Sequence, residues 1–590
     1  MSSSEPAADV EKNQTVVDDA HPATKDETVT SVEYSKQGRF RNFLDSFKKK
    51  DMSEYEGLGL TDAEIAARAT ADAPLNRSLK NRHLQMIAIG GSIGTGLFVG
   101  SGNSFRTGGP AAVLIGFSLV GTMLFNTVHS LGELAVRYPV SGSFSTYSTR
   151  FIDPAWGFAM GWNYALQWLV VFPLELVAAS LTIGFWSSDG TAAATVNPDA
   201  WVALFYVMIA LINLFGVRGY GEAEFVFSII KVVAVVGFII LGIVINCGGG
   251  PNEGYIGGRY WHDPGAFSHG FKGVISVFVN AAFAFAGTEL VGLASAETEN
   301  PRRHLPRATK QVFWRICLFY IVALSVVGLL VPYDDPNLIG SSSSDASASP
   351  FVIAVKRAGI KGLPSVINVV ILIAVLSVGN SAVFGCSRTL AALGAQRQAP
   401  KIFAYIDRRG RPIIGIAVTL TFGLICFLAG SDKQGEVFDW LLAFSGLSSV
   451  VTWGSVCLCH VRYRRGMKVQ GISTDVLPFK SALGVPGAMY GAGLNFLIIC
   501  LQFWVALAPV GTDKPDVENF FKNYLTVPIV LAFFIPWKIW HRTSFVRAKD
   551  MDLTTGVREL DVDKLIRENK EERERIKSKG ILYRIYHFWC

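Results

Sequence analysis

The chain has 590 residues, half of them hydrophobic and only 17% charged, with a net charge of +7 at pH 7. Soluble chains carry about a quarter charged residues, so a soluble globular protein is excluded. The positive charge is spread over loops and calls for no nucleic-acid partner.

Residues 1–83 are rich in Ser, Thr, Asp, Glu and Lys and lack an early apolar core. This composition predicts a largely disordered tail rather than a cleavable signal peptide. Residues 84–541 hold repeated apolar runs, and about 20 such residues cross a bilayer as a helix. The pattern predicts an all-α polytopic membrane protein. A β-barrel would alternate in ten-residue segments instead. Twelve spans are expected, near 84–104, 111–135, 156–185, 201–217, 225–247, 271–297, 313–332, 365–393, 413–430, 437–460, 489–509 and 524–541. An even number puts both tails on one side. The loops on that side carry 17 Lys and Arg and the opposite loops eight, so both tails are expected in the cytosol.

The first span contains IAIGGSIGTGLFVG, Ile87 to Gly100. Each mid-helix glycine costs about 1 kcal/mol relative to alanine. Two readings fit. Gly90–Gly94 and Gly96–Gly100 match the G-x-x-x-G packing seam. Alternatively the helix unwinds there and its freed backbone groups bind a ligand inside a cavity. The positive end of a half-helix starting at Gly94, Thr95 and Gly96 suits a carboxylate. Carbonyls near Gly91 and Ser92 suit an ammonium group. Together they match a zwitterionic α-amino acid. The sixth span carries FAFAGTELVGLASAE, Phe283 to Glu297, again rich in small residues. Paired breaks five helices apart favour the unwound reading and predict five plus five inverted helices, then two more.

Ionisable residues inside spans are costly and invite a function. Glu175 lies in the third span beside Pro173, Lys231 in the fifth, and Glu289 just after Ala286–Gly287 in the sixth. Glu289 or Glu175 is a candidate proton carrier and Lys231 a candidate cation-site residue; a buried structural ion pair is the alternative for each. His129 and Glu133, near the end of the second span, read as structural. Phe283 and Phe285 flank the second break and either close over a ligand or simply pack. The eight cysteines are scattered and form no metal or disulfide pattern. Residues 542–590 form a charged C-terminal tail ending HFWC. Its end either rests on the bilayer or carries an S-palmitoylated Cys590.

The residues also carry a resemblance. KNRHLQMIAIGGSIGTGLFVGSG and GGPAAVLIGFSLVGTMLFNTVHSLGELAVRYPV resemble the permease signature of the amino acid–polyamine–organocation superfamily. FAGTELVGLASAETENPRRHLPRA, LIAVLSVGNSAVFGCSRTLAALG and the terminal FWC are similar to the fungal amino-acid permeases. YGEAEFVFSIIKVVAVVGFIILGIVINCGGGP is especially close to the general amino-acid permeases among them. The resemblance implies a LeuT-like fold, with helices 1 and 6 interrupted, that imports amino acids across the fungal plasma membrane with H+ as coupling ion and no other cofactor. It implies that the stretch Ser92, Ile93, Gly94, Thr95 and Gly96 holds the substrate backbone. Main-chain carbonyls around Phe283, Ala284, Phe285 and Ala286 take the ammonium. Lys231 matches a fifth-helix lysine that stands where sodium-coupled relatives bind sodium, and Glu289 matches a sixth-helix glutamate. Membrane lipids and the ubiquitin ligase machinery are the implied partners, with Lys12, Lys25 and Lys36 as tail acceptors by location. A sensor that binds amino acids without moving them is the competing reading; the moderate tails disfavour it. A membrane enzyme or an ATP-driven pump lacks its motif here.

Overall fold

The computed structural model describes residues 46–48, 75, 77–91, 93–186, 196–252, 254–339, 349–430, 434–512 and 514–557, with isolated positions between 567 and 580. Ser92, Cys590, Lys12, Lys25 and Lys36 therefore lie outside the described residues. The chain divides into Met1–Ser46 and Phe47–Cys590, and the described helices lie in the second unit.

Among the described residues the fold is helical, with one isolated parallel bridge between Leu79 and Thr298. Eight helices are long and apolar enough to cross a membrane, and a ninth span is the bent pair Val517–Tyr524 and Thr526–His541, which meet at 62°. The chain is a polytopic membrane protein. Three expected spans fall short of that length for identifiable reasons. Pro198–Leu214 and Ile413–Phe427 are apolar but shorter. The first span is broken into Asn81–Gly90, Thr95–Phe98 and the opening turns of Gly100–Arg137. That last helix kinks at Gly109 (φ 81, ψ 170), immediately before Pro110. Proline has no N–H for the helical ladder, and the kink falls between the expected first and second spans.

The kink is a joint as well as a bend. Ser268 N–H donates to Gly108 O at 3.0 Å and Ala111 N–H to Ala266 O at 2.9 Å. These bonds dock the approach to the sixth span onto the end of the first. At their other ends the same spans meet again, through Leu79 N–H to Glu297 O at 3.1 Å and Glu299 N–H to Leu79 O at 3.2 Å. Short helices not foreseen in the sequence, Ser143–Phe151 and Pro350–Arg357, cap the bundle between spans. The outer faces keep large apolar residues exposed, among them Val233, Ile240, Phe496 and Ile539, as a lipid-facing surface requires.

His129 and Glu133 take structural roles by different routes. Glu133 lies 2.6 Å from Arg464 Nε and 3.0 Å from His460 Nε2, and its Oε2 accepts from Ser481 N–H at 2.7 Å. It ties the second span to the tenth and to the loop beyond. His129 is not an ion-pair partner but a buried ring, 4.2 Å from Phe125 and 5.9 Å from Phe479 between centroids.

The glycines of the first break decide how closely the spans approach. A Cβ on Gly96 would lie 2.4 Å from Ala284 Cα, and one on Gly90 2.2 Å from Ser228 Oγ. A Cβ on Gly94 would lie 2.4 Å from Val378 Cγ2. On Gly100 the nearest atom would be 3.7 Å away. The seam and the break are thus the same residues: three glycines admit three neighbouring spans, and the fourth admits none.

Two outcomes follow from this packing. Gly96→Val forces its side chain into the Ala284 backbone and abolishes uptake in cells, while Gly100→Ala transports at close to the wild-type rate with equal surface expression. Glu133→Ala leaves the Arg464 and His460 groups without their buried counter-charge and costs about 3–5 kcal/mol, read as a lowered thermal unfolding midpoint of the purified protein.

Candidate functional site

The first break begins where the helix stops at Gly90. Gly91 N–H closes on Ile87 O at 3.1 Å and Ile93 N–H on Gly90 O at 3.0 Å. Gly94 is extended (φ −156, ψ −145), and the helix restarts at Thr95. Leu97 and Phe98 N–H both donate to Gly94 O, at 3.2 and 3.1 Å. The N–H groups before them, at the start of the second half-helix, have no helical acceptor to use.

The second break matches it. The sixth span stops at Phe285, Ala286 is extended (φ −56, ψ 147), Gly287 takes a left-handed conformation (φ 90), and the chain turns helical again at Leu290. The Phe283 carbonyl already accepts from Ala286 N–H at 3.1 Å, and the Ala284 carbonyl from the Tyr320 hydroxyl at 2.7 Å. With its extended backbone, Ala286 turns its own carbonyl out of the helical ladder. The Gly96–Ala284 contact sets the two breaks directly against each other.

Phe285 faces away from the break, with its ring 4.3 Å from Tyr320 and 5.8 Å from Phe117. It packs rather than closes. Phe283 is also buried, and its Cβ lies 3.5 Å from where a Cβ on Gly446 of the tenth span would sit.

The three ionisable candidates are all fully buried, and the structure separates their surroundings. Glu175 reaches the first break itself: the Thr95 hydroxyl donates to its Oε2. Its Oε1 has no partner among the described residues. Glu289 does not reach the first break but holds the second. Its Oε1 accepts from Gly287 N–H at 3.2 Å and from the Tyr164 hydroxyl at 3.1 Å, and its Oε2 accepts from Trp453 Nε1 at 3.1 Å. Donors from the turn, the third span and the tenth span thus engage both oxygens, which suits a carboxylate that fixes the turn.

Lys231 stands behind the end of the first half-helix. Its Nζ lies 2.8 Å from Ser377 Oγ and 3.5 Å from Glu224 Oε1. Ser377 Oγ lies 2.7 Å from both Glu224 oxygens. Ser228 joins this group to the half-helix, 3.3 Å from Glu224 Oε1 and donating to Met86 O at 3.1 Å. Arg315 enters from the seventh span, fully buried, and its Nη1 donates to Ala88 O at 2.8 Å. Its Nε and Nη2 have no partner among the described residues.

Glu224 and Arg315 were missed in the sequence, although a signal for each was there. Tyr220, Glu224, Ser228 and Lys231 fall at i, i+4, i+8 and i+11, one helical face, and all four are buried. Glu224 looks like a span-end charge only when read alone. Arg315 lies two residues inside the expected seventh span and reads as an end charge. In the structure that helix starts earlier, at Pro301, which carries Arg315 into the bundle.

What the site can do follows from these groups. Two extended turns lie against each other through the Gly96–Ala284 contact. One threonine there is joined to a buried carboxyl. An arginine braces the half-helix end, and a lysine paired with a second carboxyl is joined to it through Ser228.

Residues 83–549 match the amino acid permease family. The chain is 61% identical to the general amino-acid permease GAP2 of Candida albicans, over 93% of each chain. It is 58% identical to the general amino-acid permease GAP1 of Saccharomyces cerevisiae, over 94% of this chain and 92% of that one. Among solved structures, the nucleobase-cation-symport-1 family transporter Mhp1, closed with bromovinylhydantoin bound, is similar at 15% identity and a TM-score of 0.44, over 85% of this chain and 99% of that one. The chain belongs to the amino acid permease family.

Proposed function

We propose that this permease imports amino acids of many kinds across the plasma membrane, both tails in the cytosol, by alternating access coupled to proton entry. The hydrogen bond between Thr95 and Glu175 carries the reading, because it links a titratable group to the break. With Glu175 ionised, the Thr95 hydroxyl must spend its proton on the carboxylate. With Glu175 protonated, the carboxyl can donate instead, and the Thr95 O–H is released to donate to a substrate carboxylate at the break. A proton on Glu175 therefore strengthens substrate binding, and by linkage the substrate strengthens proton binding.

Charge balance points the same way. Lys231 and Arg315 bring two positive charges to the half-helix end, and Glu224 and Glu175 bring two negative ones. Neutralising Glu175 leaves an excess positive charge in a medium where unpaired charge is expensive. The α-carboxylate of an amino acid bound at the half-helix start offsets it. Breadth is supported by recognition through backbone groups and Thr95, which read the part every amino acid shares. It is also supported by the names of the two general permeases at 61% and 58% identity.

The test is uptake of a panel of radiolabelled amino acids into permease-deficient fungal cells, at acidic and neutral external pH, with and without a protonophore. Many amino acids are expected to accumulate, more strongly in acid, and the protonophore collapses the gradient. Sodium dependence without pH dependence would overturn the coupling. Glu175→Gln, which fixes the donating form, keeps binding but flattens the pH dependence of uptake. Lys231→Met leaves Glu224 uncompensated and lowers accumulation at least about tenfold, the equivalent of 1.4 kcal/mol, at unchanged surface expression.

A further inference from the structure

One edge of Arg315 is unused among the described residues. The side chain is fully buried, and its Nη1 donates to Ala88 O at 2.8 Å. Its Nε and Nη2 have no partner among the described residues. In a guanidinium these two nitrogens share one edge, and their N–H groups form the fork that matches the two oxygens of a carboxylate. A buried cation with that fork empty is costly unless an anion fills it. The carboxylates of the same region have other partners: Glu224 is engaged by Lys231 and Ser377, and Glu175 by Thr95.

The guanidinium is tied to both breaks. On one side is Ala88, in the last turn of the first half-helix. On the other, 6.0 Å away, is the ring of Tyr320, whose hydroxyl donates to Ala284 O at 2.7 Å. Ala284 is the residue whose backbone meets Gly96. The α-carboxylate of a bound amino acid belongs, on the transport reading, to Thr95 and the start of the second half-helix. Ala88 precedes Thr95 by seven residues and stands at the opposite, carbonyl end of the break. The fork therefore suits a second carboxylate, and aspartate and glutamate are the amino acids that carry one.

We propose that the free edge of Arg315 receives the side-chain carboxylate of acidic amino acids held at the breaks, and so sets the acceptance of L-aspartate and L-glutamate. The proposal rests on the transport reading. A charged side chain does not enter a buried space without a counter-charge. The fork supplies that charge together with two directed donors. A neutral side chain leaves the edge as it stands in the empty carrier, so neutral amino acids bind without a penalty there. One residue thus adds acidic substrates to a site that otherwise reads the shared amino-acid core.

The experiment measures uptake of radiolabelled L-glutamate, its neutral isostere L-glutamine, and L-leucine in permease-deficient fungal cells expressing the full chain or Arg315→Gln. Surface expression is matched, and a mildly acidic external pH leaves the glutamate side chain ionised. Loss of the bond to Ala88 lowers uptake of all three amino acids. The reading is therefore a ratio, maximal rate over KM for L-glutamate against that for L-glutamine. It falls at least about tenfold in Arg315→Gln, the equivalent of 1.4 kcal/mol. An unchanged ratio overturns the proposal, and so does a wild-type chain that takes up L-glutamine and L-leucine but not L-glutamate; in both cases the transport reading stands. If the wild-type chain takes up none of the three, the transport reading fails by itself. In that case, or if Arg315→Gln does not reach the surface, the deciding measurement is a cryo-electron microscopy map of the purified wild-type chain with saturating L-glutamate. A side-chain carboxylate on Nε and Nη2 of Arg315 upholds the proposal. A side chain placed elsewhere, or no bound glutamate, overturns it.

Discussion

The constraint on which the rest depends is backbone against backbone: Gly96 meets Ala284 where no side chain fits between them. This contact places the interruption of the first span against that of the sixth. Joints at both ends of the two spans keep the register, one at the Gly109 kink and one at the Leu79–Glu297 crossing. If the spans moved apart by the width of a methyl group, the two extended turns would no longer lie against each other. The neighbouring contacts at Gly90 and Gly94 do the same work toward the fifth and eighth spans. Glycine is thus used here for proximity more than for flexibility, and its cost in helix stability is the cost of bringing four spans to one point.

Around that point the protein buries charge that a purely structural bundle would avoid. Replacing buried ion pairs with apolar residues is often neutral or stabilising. Net stability alone therefore does not account for Lys231, Arg315, Glu224 and Glu175. Their arrangement is graded. Glu289 is fully engaged by donors from three directions and holds the second turn in shape. Glu175 touches the site through a single hydroxyl and keeps one oxygen unengaged among the described residues. A proton-coupled carboxyl needs that looseness, because a group whose every bond is committed cannot change state without breaking the fold around it. On the proposed proton coupling, this difference favours Glu175 over Glu289 as the titrating group.

Much of the architecture was legible because the bilayer imposes a length and a polarity on every span. The breaks were legible because five glycines within fourteen residues cannot be a preference for helix. What escaped was three-dimensional. The packing-seam and unwound readings of Gly90–Gly96 looked like alternatives, yet both hold, since a seam along one face does not prevent a break along the axis. Phe283 and Phe285 were indistinguishable in the sequence until the Tyr320 and Phe117 rings took up Phe285. Glu224 and Arg315 were hidden at span boundaries, where a window of hydropathy reads a charge as an end. Arg315 becomes an interior residue only because its helix begins at Pro301 rather than near residue 313.

The most direct measurement is a cryo-electron microscopy map of the purified full chain with a saturating neutral amino acid such as L-leucine. The account places the ligand between the breaks, its carboxylate at the Thr95 hydroxyl and the Gly94–Gly96 backbone, its ammonium toward the Ala286 carbonyl, and Glu175 still joined to Thr95. Density for the amino acid elsewhere in the bundle, with the space between Gly96 and Ala286 closed by protein, would contradict it.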